Sequence, residues 1–173
     1  MRSNKGITLA VLVITIVILL IIASISIGTG NKVIKSSELE NMITNMLLIK
    51  AKGKEYVENA NFKLGPNFES ATDKEAKIST AKGELKGEEI TGSYKIGQET
   101  VSSDDSNCIY YYKLSEQQLN EMGISKIKSN DNAGWYVIKY DVKKVEVDVY
   151  NTKGFENENN YYYSLEELQN LDL

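Results

Sequence analysis

Residues Ile7–Ile27, ITLAVLVITIVILLIIASISI, constrain this chain more than any other stretch. They are twenty-one consecutive residues without a charge, a glycine or a proline. Thr8, Thr15, Ser24 and Ser26 are the only polar members. As a helix the run would measure about 31 Å at about 1.5 Å per residue, which matches the hydrocarbon core of a bilayer. The sequence therefore predicts a membrane span. Met1–Gly6, MRSNKG, precedes it with two cations, Arg2 and Lys5, and no acid occurs before Glu38. By the positive-inside rule this places the N-terminus in the cytoplasm and the bulk of the chain outside. A secretory signal would have a shorter apolar core ending at small residues, whereas this run continues past Ala23-Ser24 through Ile25 and Ile27. On charge and hydropathy alone the segment reads as an uncleaved signal anchor.

Composition narrows the chemistry. With Arg2 and Lys5 set aside, eighteen cations remain against twenty-four acids. An acidic exterior opposes phosphate-backbone binding, and Arg2 is the only arginine, so no direct nucleic-acid binding is expected. The chain has no histidine and a single cysteine, Cys108. An intramolecular disulfide, a Cys/His zinc set and a histidine-based nucleophilic triad are thereby excluded. Cys108, beside Ile109 and Tyr110, reads as a small buried apolar residue.

Past the apolar run come Gly28-Thr29-Gly30, then a helical pattern. Ile34, Leu39, Met42, Ile43, Met46, Leu47, Ile49, Lys50, Gly53, Tyr56, Val57 and Ala60 recur at three- and four-residue steps. The expectation is one helix from about Thr8 to about Asn59, roughly 80 Å long at about 1.5 Å per residue. Gly28 and Gly30, each costing about 1 kcal/mol relative to alanine, would form its hinge. Two helices joined by a Gly-Thr-Gly linker is the other reading. The amphipathic half would lay its stripe on a globular domain.

The segments are thus 1–6, 7–27, 28–60 and a domain over 61–173. In that domain Asn61–Asn67 holds the only proline and reads as a turn. Lys74–Lys86 is expected to form a short helix and Ile90–Ile96 a short strand. Ser102–Asn107 reads as a loop and Ile109–Lys113 as a strand. Ser115-Glu116-Gln117-Gln118 is a capping-box signature, closed by Gly123. Ser129–Gly134 is a turn, and Trp135–Tyr140 and Val145–Tyr150 are strands joined by an Asp141–Lys144 hairpin turn. Ser164-Leu165-Glu166-Glu167 opens a second capped helix to about Leu171. The sum is an α+β chain: a long N-terminal helix packed on a small antiparallel sheet.

Two side-chain groups invite a ligand. Asp104 and Asp105 offer oxygens to calcium, but no EF-hand pattern surrounds them, so a solvated acidic loop is expected and no cofactor. Tyrosines cluster at Tyr110, Tyr111 and Tyr112 and at Tyr161, Tyr162 and Tyr163. Half-buried strand residues are the ordinary reading of such runs, and a sugar- or surface-binding platform is the other. The second run follows the polar stretch Glu156–Asn160 and is the better candidate for an exposed patch.

Lys5-Gly6 followed at once by ITLAVLVITIVILLIIASISI resembles the class III signal of type IV pilins and type II secretion pseudopilins. It is most like the pilin-like proteins of Gram-positive bacteria (Bacillota). The pattern YYKLSEQQLNEMGISKIK, a hairpin, then VYNTKGF resembles the same group. The resemblance implies a pilin-like fold. It also implies cleavage between Gly6 and Ile7 by a prepilin peptidase on the cytoplasmic side, N-methylation of Ile7, and assembly with other pilin subunits through a platform protein. Before assembly the helix would lie in membrane lipid; afterwards the domain would face the cell exterior. Glycine suits the cleavage site because it imposes no side chain on an extended backbone. One departure stands out: where many pilins carry a glutamate, five residues into the mature chain, this chain has Val11. No residue of the chain is expected to catalyse a reaction. An uncleaved, single-pass anchored binding module outside the cell is the alternative.

Overall fold

The computed structural model describes the backbone of residues 9–171 and the side chains of residues 34–171. The chain divides into two units, Met1–Leu39 (with Leu173) and Glu40–Asp172.

The first unit contributes the start of helix α1, Leu9–Leu64. The helix runs through Gly28 and Gly30 without interruption. The expected span Ile7–Ile27 lies outside the residues whose side chains are described; among the described residues, no helix is long and apolar enough to cross a membrane.

In the second unit α1 buries Met46, Ile49, Gly53, Val57, Ala60 and Leu64. Steps of three and four keep these residues on one face of a helix with 3.6 residues per turn. The stripe is narrower than the sequence pattern implied. Leu47 is 43 % exposed and Lys50 is exposed, because both fall beside the seam and not on it. The helix also outlasts its expected end near Asn59. Leu64 prolongs the buried stripe by one turn, and Gly65, at φ 73°, then stops the helix with its N–H on the Asn61 carbonyl at 3.0 Å. Left-handed backbone of this kind is the usual glycine terminator.

After α1 come a 3-10 turn over Phe68–Ser70 and α2, Lys74–Glu84. Strands β1, Glu88–Glu89, β2, Tyr94–Ile96, β3, Glu99–Val101, and β4, Ile109–Leu114, follow. Then come α3, Glu116–Glu121, β5, Tyr136–Asp141, β6, Glu146–Asn157, β7, Asn160–Ser164, and α4, Leu165–Gln169. The main sheet is antiparallel with strand order β1-β4-β5-β6-β7, and β2 and β3 form a separate hairpin. Of the expected strand Ile90–Ile96 only Tyr94–Ile96 is strand, as β2; β1 ends just before it at Glu89, and the Ile90 N–H still reaches the Tyr111 carbonyl.

Register explains the two faces. Tyr110 pairs with Tyr140, Tyr112 with Ile138, Ile138 with Val149 and Tyr140 with Val147. All six residues are buried on the face that receives α1. Asn45 Nδ2 donates to the Tyr136 hydroxyl at 3.5 Å, and Asn61 Nδ2 donates to the Val142 carbonyl at 2.8 Å. Along this path α1 rises about 24 Å and β5 about 20 Å at their standard rises per residue. The two elements therefore run side by side in the same direction. The opposite face is covered by the β2–β3 hairpin, where Ile96, Val101 and Val137 form a small core ringed by Tyr94, Tyr111, Tyr150 and Tyr163.

Both capping boxes are present. The Ser115 and Gln118 side chains each receive the other's backbone N–H, and so do Ser164 and Glu167. Val145 departs from the strand expected to begin with it. It has φ 58° and closes the β5–β6 turn, with its carbonyl accepting from Lys54 Nζ. Asp141 Oδ1 accepts the Lys144 N–H at 3.0 Å and holds the same turn.

Candidate functional site

Gly6, Ile7, Arg2 and Lys5, the residues of the expected processing site, lie outside the described residues. Val11 falls within α1, but its side chain is outside the description. Gly28 and Gly30, expected as a hinge, have helical backbone.

The acidic loop is occupied by its own backbone. Asp104 accepts the Ser106 N–H at 2.8 Å, the Asn107 N–H at 3.3 Å and Asn107 Nδ2 at 2.7 Å. These donors hold its carboxyl below the ordinary range, led by the Asn107 side chain. Asp105 lies 3.5 Å from Lys82, which also pairs with Glu89 at 2.6 Å. Among the described residues, no three His, Cys, Asp or Glu side chains converge as a metal would require. Cys108 is fully buried at φ 55°, and burial pushes its thiol above the ordinary value.

The two tyrosine runs have different fates. Tyr110 and Tyr112 point into the core, and Tyr112 meets Tyr140 edge-on with ring centroids 5.6 Å apart. The second run, read from the sequence as half-buried strand residues or as an exposed patch in a polar loop, forms β7, the edge strand of the sheet. Glu158 and Asn159, at φ 50° and 66°, make the tight turn that folds β7 back on β6. Two successive positive φ values match the twist of an antiparallel hairpin. The exposed-patch expectation survives at one residue: Tyr161 is 53 % exposed, while Tyr162 and Tyr163 are half-buried.

Tyr163 is held by glycines the sequence reading did not single out. A Cβ on Gly97, in the β2–β3 turn, would overlap the Tyr163 ring, and one on Gly154 would stand 2.7 Å from Tyr163 Cε1. Both glycines have positive φ, 60° and 68°. Gly154 also sits in the register shift between Tyr150 and Phe155, where β6 bulges. The Tyr161 ring stacks on Tyr163 at 6.4 Å between centroids and 23° between planes. Tyr161 Oη donates to Glu156 Oε2 at 3.2 Å, and this carboxylate pushes the phenol above its ordinary value. The turn sequence Ile96-Gly97-Gln98-Glu99 was the available signal, since glycine opens two-residue hairpin loops.

A groove of about 710 Å³ runs past this aromatic pair, between the β2–β3 turn, β6, β7 and α4. Gln98, Asn160 and Gln169 line it with amides. Glu99, Asp148, Glu166 and Glu167 contribute carboxylates against the single ammonium of Lys50. Two of those carboxylates are engaged: Asp148 pairs with Lys139 at 2.9 Å, and Glu167 accepts the Tyr163 and Ser164 N–H groups, each at 2.9 Å. The arrangement is a polar, open site with one exposed aromatic face, Tyr161.

No protein-family model, no curated protein and no solved structure matches the chain.

Proposed function

We propose that this protein is a pilin-like or pseudopilin-like structural subunit of a type IV pilus or a type II-like secretion or DNA-uptake apparatus. The observation that carries this reading is α1. Its N-terminal part lies in an uncharged apolar run that the sequence opens directly after Lys5-Gly6, and its C-terminal turns seat a buried stripe on an antiparallel sheet. The precursor would span the membrane with its N-terminus in the cytoplasm. A prepilin peptidase cuts between Gly6 and Ile7, and Ile7 is methylated. A platform protein then hands the helix from lipid to neighbouring subunits. The driving force is the matching of apolar surfaces, and the exported domain becomes the outer face of the filament. The protein's work is assembly, with no catalytic step of its own.

Val11 modifies this account. Methylation leaves the Ile7 amine charged, and a charge taken out of water needs a partner. Thr8 and Thr15 supply hydroxyls but no countercharge. A filament of this subunit alone would therefore leave its amines without a countercharge at this position, which fits a minor subunit placed among acid-bearing ones better than a major one.

The second reading is an uncleaved, anchored extracellular binding module, and the groove beside Tyr161 is the observation that favours it. Substitution of Gly6 separates the two. Gly6→Val and Gly6→Glu chains should remain full-length in the membrane fraction while the wild type is shortened. Identical chain lengths for wild type and both variants would reject the filament reading.

A further inference from the structure

We infer that the groove beside β7 binds a neutral glycan chain, with the Tyr161 ring as its stacking face. The inference goes beyond subunit assembly and does not depend on processing at Gly6.

Three observations lead to it. The first is that the exposed Tyr161 ring is backed by the half-buried Tyr163. Tyr163 lies where a side chain on Gly97 or Gly154 would stand, Tyr161 stacks on it, and Glu156 holds the Tyr161 hydroxyl. An aromatic ring backed on one side and exposed on the other offers a flat apolar surface with only two side-chain torsions to order.

The second observation is the groove's lining. Gln98, Asn160 and Gln169 each present a donor and an acceptor in one plane. That pattern suits a ligand with adjacent hydroxyls that both give and accept hydrogen bonds. A sugar ring joins such hydroxyls to a face of C–H groups, which is the complement of an amide rim around a tyrosine.

The third is charge. The lining carboxylates exclude phosphates and acidic polymers. Asp148 is neutralised by Lys139, while Glu167 stays ionised with one oxygen held by the Tyr163 and Ser164 N–H groups. Glu99, Glu166 and Glu167 leave the lining acidic against Lys50, with oxygens that accept from sugar hydroxyls. A neutral sugar satisfies these acceptors without an ion pair, and hexalysine is the competitor that an acidic lining alone would favour. The volume, about 710 Å³, lies within the range of small-ligand sites.

The test uses the full-length chain in a detergent without a sugar headgroup. Cellohexaose, maltohexaose and chitohexaose are titrated separately and followed by saturation-transfer NMR, with hexalysine as the charged competitor. At least one oligosaccharide should bind with a dissociation constant in the millimolar range. Tyr161→Ala should weaken it at least tenfold with an unchanged circular dichroism spectrum, and Tyr161→Phe, which keeps the ring, should retain most of the affinity. Failure of all three sugars to bind, binding indifferent to Tyr161→Ala, or binding of hexalysine alone would each overturn the inference. Sugar binding by a chain that no prepilin peptidase cleaves would leave it standing and remove the filament reading instead.

Discussion

Gly53 of α1 lies directly against Ile138 of β5. A Cβ at Gly53 would overlap Ile138 Cδ1 and stand 3.1 Å from Val147 Cγ1. Glycine in mid-helix usually costs about 1 kcal/mol against alanine. Here it lets helix and sheet approach closely. Ile138 is fully buried, so its terminal methyl can yield only by turning within the core. Overpacking should therefore outweigh the gain in helix propensity. Gly53→Ala is expected to lower stability by about 1–2 kcal/mol in urea denaturation.

The same contact makes a sharper prediction. Ile138→Val removes the one atom that collides and on its own should cost about 1 kcal/mol. In the Gly53→Ala background it should cost less, or restore stability, so the double variant will be non-additive. Additive losses would show that the helix retreats from the sheet without resistance from Ile138.

Val145 predicts a gain. A β-branched residue at φ 58° is strained, by about 1–2 kcal/mol for ordinary L-residues in the left-handed region. Asparagine tolerates that conformation, and the Val145 carbonyl that accepts from Lys54 is retained. Val145→Asn should raise the denaturation midpoint by the equivalent of about 1 kcal/mol. A lower midpoint would mean that the half-buried valine side chain matters more than its backbone.

Glu167 gives a pH dependence. Burial works to raise its pKa, but the N–H groups of Ser164 and Tyr163 and the Ser164 hydroxyl outweigh burial and hold it below its ordinary 4.5. A depressed carboxylate stabilises the fold fully above its unfolded value, and that stability is lost as pH falls through its folded value. Denaturation midpoints should thus decline below about pH 4.5. Glu167→Gln keeps the acceptor but removes the titrating group. It should flatten this decline, and an unchanged acid slope would contradict the assignment.

The stripe on α1, both capping boxes and the strands around Tyr110 and Val147 follow from period and local hydrogen-bonding chemistry, and they were legible in the sequence. Position along the stripe was less so: Leu47 and Lys50 fit three- and four-residue steps yet fall outside the seam, because period does not reveal how wide the contact is. Val145 looked like the first member of an alternating strand, since β-branched residues favour strands. Only the tertiary partner, Lys54, shows why the turn includes it. Tyr161–Tyr163 resembled the end of a loop because its turn uses Glu158-Asn159, without the glycine that usually marks such a hairpin. The groove was the least legible feature, since Gly97 reaches Tyr163 only by the packing of the separate β2–β3 hairpin on the main sheet, far from β7 in sequence.

Intact mass after exposure to a prepilin peptidase tests the central claim most directly. The full-length chain, membrane-embedded and treated with the enzyme and a methyl donor, should lose Met1–Gly6 and gain one methyl group on Ile7. A full-length, unmethylated mass under conditions that process a control prepilin would contradict the account.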